Sequence, residues 1–383
     1  MEKLVTLLAA SIFATSVFAN HADDLAKEGV KLQESGNIQR AIEKYVKASD
    51  EGSVIGSALA GAAYTNIAKY ALAAKYLKIA SNAGDSSAEN ALGALYSNGQ
   101  GVTKSYSKAN ELFEKSVKQN YFPAYFNLGT SYYFGDGVSK DKVKAIQLYT
   151  QSANGGYPQA QTKLGAAYQI GDSVQTNLPQ SYMWYTLAVK NGDQSAKNNY
   201  IFNHIDQALK QNPYCISLGQ DNVSQAYMNG IGGLKKSQSE ALDWMEKAQE
   251  TDPSLSIVNL DLAKMYALND DKDKAFDLAQ KAVTQPYAPA MQYLGTMYQQ
   301  GIGTSKDLVK AYAYLTLAED LYKKPDDKFF STFAAPCMPN YKQTTKEFNV
   351  EVTLTQLNEL HLSGQAVAKA EVIMKKVKES WKK

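Results

Sequence analysis

Histidine and cysteine are scarce. The 383 residues hold three histidines and two cysteines. So few histidines leave little room for metal coordination or general-base chemistry, which lean on imidazole. His21, His204 and His361 read as surface or half-buried residues, and none stands in a pattern that suggests a nucleophilic triad. Neither sign of charge dominates, with 40 basic residues against 38 acidic. That balance gives no support to a nucleic-acid partner or to an anionic surface as the main ligand. Asp136 and Asp141 lie near one loop, but nothing places a desolvated carboxylate across a cleft from a second one, as glycoside hydrolysis needs. A phosphate-cradling loop needs a strand before its glycines and a helix after them. The Gly-x-Gly runs here follow helical patterns, lack a third glycine and lack a Lys-Ser/Thr pair. No cofactor and no metal are expected.

Long apolar runs are absent after the first twenty residues, so no transmembrane anchor is expected. The exception is the run Leu4–Phe18. It follows Lys3, ends with small residues at Val17 and Ala19, and gives way at once to the polar stretch Asn20–Asp24. This predicts a secretory signal over residues 1–19, too short to span a bilayer comfortably. No cysteine follows the cleavage site, so a lipid anchor is not expected. The chain is read as exported, with the periplasm as first destination and release from the cell as second.

What is present is a repeat. Leu128-Gly129, Tyr132, Gly135-Asp136-Gly137, Lys144-Ala145, Tyr149 and Ala153 recur 36 residues earlier as Leu92-Gly93, Tyr96, Gly99-Gln100-Gly101, Lys108-Ala109 and Phe113. They recur 36 residues later as Leu164-Gly165, Tyr168, Gly171, Ser181, Tyr185 and Ala188, and again at Leu294-Gly295, Tyr298, Gly301-Ile302-Gly303, Lys310-Ala311 and Ala318. Small residues seven apart, such as Ala41/Ala48, Ala73/Ala80, Ala109/Ser116 and Ala311/Ala318, bring the count to eight units. One interval is 60 residues where the others are 32 to 36, which marks an insertion of about 24 residues near 194–217.

The unit is two helices of roughly a dozen residues, with apolar positions at helical spacing. A glycine inside a helix costs about 0.5–1 kcal/mol relative to alanine. It is tolerated where another helix must come close. Residues i and i+7 share a helix face, so the small pair on the second helix serves the same approach. The aromatic residues four after the first small one (Tyr45, Phe113, Tyr149, Tyr185) are expected to fill the wedge between units. The Gly-x-Gly run supplies left-handed residues that end the first helix.

The run Leu128–Val138, read as Leu-Gly-x-x-Tyr-x-x-Gly-x-Gly-Val, and the Lys-Ala-x-x-Leu/Trp-Tyr helix after it resemble the Sel-one-like repeat class of tetratricopeptide-related proteins. The resemblance implies an all-α fold, a right-handed superhelical solenoid of helix-turn-helix repeats whose concave groove scaffolds protein assemblies. In exported bacterial relatives it also implies roles in envelope maintenance, host interaction and modulation of cell-wall enzymes. The expected organisation is a signal peptide (1–19), five repeats (20–193), a helical insertion (194–217), three repeats (218–324), and an irregular segment with capping helices (325–383). The insertion reads as one more helix over 195–210, a spacer or a functional addition. Charge collects over Lys369–Lys383 of the cap, with Trp381 as a late anchor.

In such superhelices the first helix of each unit lines the groove. Its free positions lie three before the structural glycine and one, four and five after it. They fall here on Asn90, Ala94, Ser97 and Asn98; on Phe126, Thr130, Tyr133 and Phe134; on Thr162, Ala166, Gln169 and Ile170; and on Gln292, Thr296, Gln299 and Gln300. This is a surface of amides and hydroxyls around one aromatic patch, suited to an extended peptide backbone. Packing against the next unit is the competing role for Phe126, Tyr133 and Phe134. No charged carboxylate clamp stands out.

Cys215 and Cys337 admit two states, a disulfide or two buried thiols. Helices pack 8–10 Å apart, so about three stacked units put roughly 20–30 Å between the two. A bridge requires the segment 325–350, interrupted by Pro325, Pro336 and Pro339, to run back along the array. The function expected is an exported scaffold or adaptor that binds a protein or peptide, without catalysis. The alternatives are an accessory factor of the cell wall, which binds a peptidoglycan enzyme or the glycan, and last a hydrolase.

Overall fold

The computed structural model describes residues 21–193, 195–196, 212–324, 337 and 347–382. The expected signal segment 1–19, the insertion helix beyond Ala196 with His204, and the stretch holding Pro325, Pro336 and Pro339 lie outside them. Among the described residues every regular element is helical, and most helices pack in consecutive pairs. The chain forms two compact units, Met1–Ala160 and Gln161–Lys383.

The first unit holds α1 (His21–Glu34), α2 (Ile38–Asp50), α3 (Val54–Asn66), α4 (Tyr70–Asn82), α5 (Ser86–Asn98), α6 (Tyr106–Lys118), α7 (Phe122–Phe134) and α8 (Lys142–Asn154). Local chemistry sets the helix ends. Ser53, Asp85, Ser105 and Asp141 each precede a helix and accept the N–H three residues on, which satisfies a donor the helix leaves orphaned. The glycines of the Leu-Gly pairs mark contact between the two helices of one hairpin, whereas Gly56 meets Ala48 of the preceding hairpin. A Cβ on Gly93 would lie 2.7 Å from the Phe113 ring and 3.1 Å from the Ala109 carbonyl oxygen. On Gly129 it would lie 2.9 Å from the Tyr149 ring. The rings expected as wedges between units therefore rest first on the glycine of their own hairpin. Ser116 and Ser152, second members of the small pairs, each donate 2.7 Å hydrogen bonds to the carbonyl oxygens of Ser86 and Phe122.

The Gly-x-Gly run does two jobs. Gly99 and Gly135 end their helices in the left-handed region. The second glycine sits on the start of the preceding second helix, where a Cβ on Gly101 would be 2.3 Å from the Tyr70 carbonyl. The end of α5 is thus held beside the beginning of α4, and the two run antiparallel.

α9 (Pro158–Ile170) crosses the boundary between the units. The second unit continues with α10 (Leu178–Lys190), α11 (Pro213–Asn229), a 3-10 turn (Ile231–Gly233), α12 (Gln238–Thr251), α13 (Ser256–Leu268), α14 (Lys272–Ala282), α15 (Ala288–Gln300), α16 (Leu308–Lys323), α17 (Glu347–Asn358) and α18 (Gly364–Ser380). The regular rule holds at Gly303, whose Cβ would meet the Lys272 carbonyl oxygen at the start of α14. It fails at one junction. Gly219 packs on Tyr182, and eight residues further along each helix Lys190 lies over the Tyr227 ring. α10 and α11 are therefore parallel. The glycine turn after α11 accordingly docks on the far end of α10: a Cβ on Gly232 would be 2.7 Å from Leu187, and the Gly232 carbonyl accepts from Gln161 (3.0 Å) and Asn191 (2.8 Å). The additional chain length between α10 and α11 reverses the hairpin direction.

At the other end of this junction Cys215 and Cys337 form a disulfide, and the Leu178 N–H donates to the Cys337 carbonyl oxygen at 3.0 Å. Both cysteines are buried. The bond closes a loop of 122 residues and holds the starts of α10 and α11 together.

Candidate partner-binding face

In the first unit the first-helix positions differ in how far their bonding is already used. Asn90 Oδ1 accepts from Asn127 Nδ2 of the next hairpin at 2.8 Å. Asn98 is exposed, its amide 3.3 Å from Gln100 Oε1. Phe126 is half-buried between Tyr149 and Tyr157, with both ring centroids at 5.4 Å. Its contacts are those of a packing residue. Thr130 Oγ1 donates to the Phe126 carbonyl oxygen and lies 3.2 Å from the Tyr149 hydroxyl. Tyr133 meets Phe134 edge to face at 5.0 Å, and Lys142 lies 4.8 Å above the Tyr133 ring. Phe134 is 61% exposed, a large apolar side chain left facing water. The expected aromatic patch thus divides into a packed Phe126 and an outward Tyr133–Phe134 pair.

In the second unit Gln169 and Gln299 are half-buried, while Ile170 and Gln300 are exposed. Thr162 donates to Asp193 at 2.6 Å. Gln292 accepts from the Tyr322 hydroxyl at 3.0 Å. Gln356 of α17 reaches across to this helix: its Oε1 accepts from Gln292 at 3.3 Å and its Nε2 donates to Thr296 at 3.1 Å. Two predicted free positions of α15 are therefore covered by the chain itself, and α17 continues the stack as a further layer.

The residue patterns did not single out one group. Val223-Ser224 stands where other hairpins have Leu-Gly, so Asp221 occupies the position of Phe126. Asp221 is buried, with Gln225 Nε2 3.5 Å away. Burial and the nearby Asp261 carboxylate push its pKa up to about 7. Asp261 is tied to Lys264 at 2.8 Å. The serine in place of glycine was the available signal.

A second recurrence concerns the Lys-Ala pairs. Lys108, Lys144, Lys274 and Lys310 lie 5.5, 3.9, 4.8 and 4.9 Å from the ring centroids of Tyr96, Tyr132, Tyr266 and Tyr298 in their own hairpins. Each is a cation over an aromatic face. The α11–α12 hairpin has Glu240 at the lysine position, and Lys190 of α10 supplies the cation to Tyr227 at 4.7 Å instead. That substitution is available because α10 and α11 are parallel.

Among the described residues no three of His, Cys, Asp and Glu come together as metal ligands, and no helix is long and apolar enough to cross a membrane.

The model of the Sel1 repeat matches residues 67–85, 86–121, 123–157, 158–193, 217–248, 268–287 and 288–322. The gap between the fourth and fifth matches contains the parallel junction. No curated protein matches the chain. Among solved structures it is similar to a protective antigen with an SLR fold present in uropathogenic Escherichia coli strains, at 18% identity over 99% of this chain and 96% of that one, TM-score 0.41. It is also similar to a Sel1 repeat protein from Oxalobacter formigenes (26% identity, 68% and 96% covered, TM-score 0.34). A third is a sel1 repeat protein from Klebsiella pneumoniae (20%, 48% and 93%, TM-score 0.36). Repeats of this kind generally serve as protein–protein interaction scaffolds. With seven matched segments that together span more than half of its residues, the chain belongs to the Sel1 repeat family.

Proposed function

We propose that this chain is an exported scaffold that holds a protein or peptide segment against the first-helix faces of its repeats, without chemistry of its own. The observation that carries it is the contrast along those helices. Their inner residues are locked in buried crossings, while Asn98 and Phe134 stay exposed and uncharged at the same edge position of successive hairpins in the first unit, as Gln300 does by itself in the second. An exposed phenylalanine beside a tyrosine provides anchor area at small entropic cost, and amides serve an extended backbone. The Cys215–Cys337 bond supports export, because disulfides persist in oxidising compartments. The periplasm is the first destination proposed, and a cell-wall enzyme is one partner class within this reading.

The test is crosslinked capture from fractionated envelopes with the native chain and a Tyr133→Ala/Phe134→Ala variant. A partner held by the native chain and lost by a variant of unchanged helicity supports the reading. Identical capture by both chains sinks the face assignment. Sedimentation of the chain with purified cell-wall sacculi alone would shift the function to direct wall binding.

A further inference from the structure

We infer that the outward face of α18 is an electrostatic docking surface for an anionic phospholipid bilayer. The two faces of this helix differ in kind. Val367, Ala370, Ile373, Met374, Val377 and Trp381 recur at helical spacing and are buried or half-buried, and α18 packs on α16. The attachment is completed by Lys378, 2.9 Å from Asp320, and by the Trp381 indole N–H, which donates to the Val283 carbonyl oxygen at 3.2 Å. The apolar stripe is therefore used inside the protein and is not available for insertion into lipid.

The opposite face carries Lys369, Lys375 and Lys376, with Lys382 just past the helix end, all exposed, around Val372, which is 55% exposed; the exposed Glu371 and Glu379 stand among them. Among the described residues none of these four lysines has a carboxylate within 4.0 Å, whereas Lys115, Lys264 and Lys323 of other helices are each paired within their own helix. From residue 364 to 382 the chain has five lysines and two glutamates, a surplus of three, while the whole chain has a formal net charge of +2. The near-neutral total conceals a basic C-terminal segment.

The shape of the patch favours a planar partner. The four lysines spread along about 20 Å of the helix and the turn that follows it. That face is a convex helical surface with one apolar residue and no aromatic one. A protein partner gains most from an anchor ring seated in a pocket. A field of lipid phosphates needs only cations on flexible stems, each adding separately to adsorption. Adsorption of this kind is reversible and screened by salt. It would bring the scaffold to a membrane while leaving the first-helix faces uncovered, and it does not depend on the partner proposed above.

The test uses the full chain with extruded vesicles of phosphatidylcholine, alone or mixed equally with phosphatidylglycerol, followed by sedimentation. The chain is expected to partition onto the mixed vesicles at low salt, to ignore the neutral ones, and to be released at about 500 mM salt. A Lys369→Gln/Lys375→Gln/Lys376→Gln/Lys382→Gln variant should bind on the order of 1,000-fold more weakly. The matching Lys→Arg variant should bind as the native chain does and controls for folding. Equal binding to both vesicles, no binding to either, or a glutamine variant that binds like the native chain overturns the inference. Capture of an acidic protein through these lysines without vesicle binding overturns it in favour of a protein partner.

Discussion

Ser181 Oγ donates a 2.7 Å hydrogen bond to the carbonyl oxygen of Gly165, at the point where α9 and α10 cross. In the next hairpin the roles are exchanged: Ser224, in the glycine position, donates at 2.6 Å to the carbonyl oxygen of Ala241. Both serines are fully buried. The crossing accepts one hydroxyl, on either helix, but no larger group. Gly165→Val should therefore destabilise the second unit by about 2–3 kcal/mol, through overpacking against Tyr185. Ser181→Ala should cost about 1 kcal/mol, the net value of one hydrogen bond. Urea midpoints of the two variants should fall in that order.

The disulfide should matter locally. Chain entropy gives about 5 kcal/mol for closing a loop of this length. Reduction, or Cys215→Ser with Cys337→Ser, should speed amide exchange over α10 and α11 and leave α3 to α8 unchanged. Hydrogen exchange resolved by peptide checks this. Uniform acceleration along the whole chain would contradict a local lock.

Asp221 predicts a pH dependence. Its pKa is raised to about 7 in the folded state, from 3.8 when exposed. The fold therefore binds the proton more tightly than the unfolded chain. The associated stability is complete below about pH 4 and is lost as pH rises through 7. Asp221→Asn should raise the urea midpoint most at pH 8, less at pH 5, and change it little below about pH 4. A variant that is less stable at pH 8 would assign the carboxylate a favourable partner.

Lys190 and Glu240 predict a rescue. Lys190→Ala removes the cation over Tyr227 and should cost about 1 kcal/mol. Adding Glu240→Lys to that variant places a lysine where the other hairpins carry theirs, and should recover most of the loss. Thermal denaturation of the single and double variants measures it.

Much of this architecture was legible in residue patterns because the repeat repeats its physics. Leu-Gly, the small pair and the Gly-x-Gly run each solve a local problem of close approach or helix termination, so Gly93 and Ala109 announced a close crossing and Gly99 a helix end, while the contact of Gly101 with Tyr70 appeared only in the structure. The free positions were legible as positions and not as environments. Phe126 was grouped with Tyr133 and Phe134 by spacing, yet Tyr149 and Tyr157 enclose it. Gln292 and Thr296 were read as open, and Gln356, some sixty residues on, covers them. Side-chain burial depends on what arrives from elsewhere in the chain.

By itself the sequence determined the helical class, the glycine helix ends and the hairpin unit, because all of these follow from contacts within about 36 residues. The tertiary structure alone decided the parallel course of α10 and α11, the place of Cys337 beside Leu178 and Cys215, and the loan of Lys190 to Tyr227. The physical reason is that helix polarity at a junction leaves no local mark. The same apolar stripe packs equally well in either direction, and the choice is made by the loop that connects the helices and by the distant groups that fasten them.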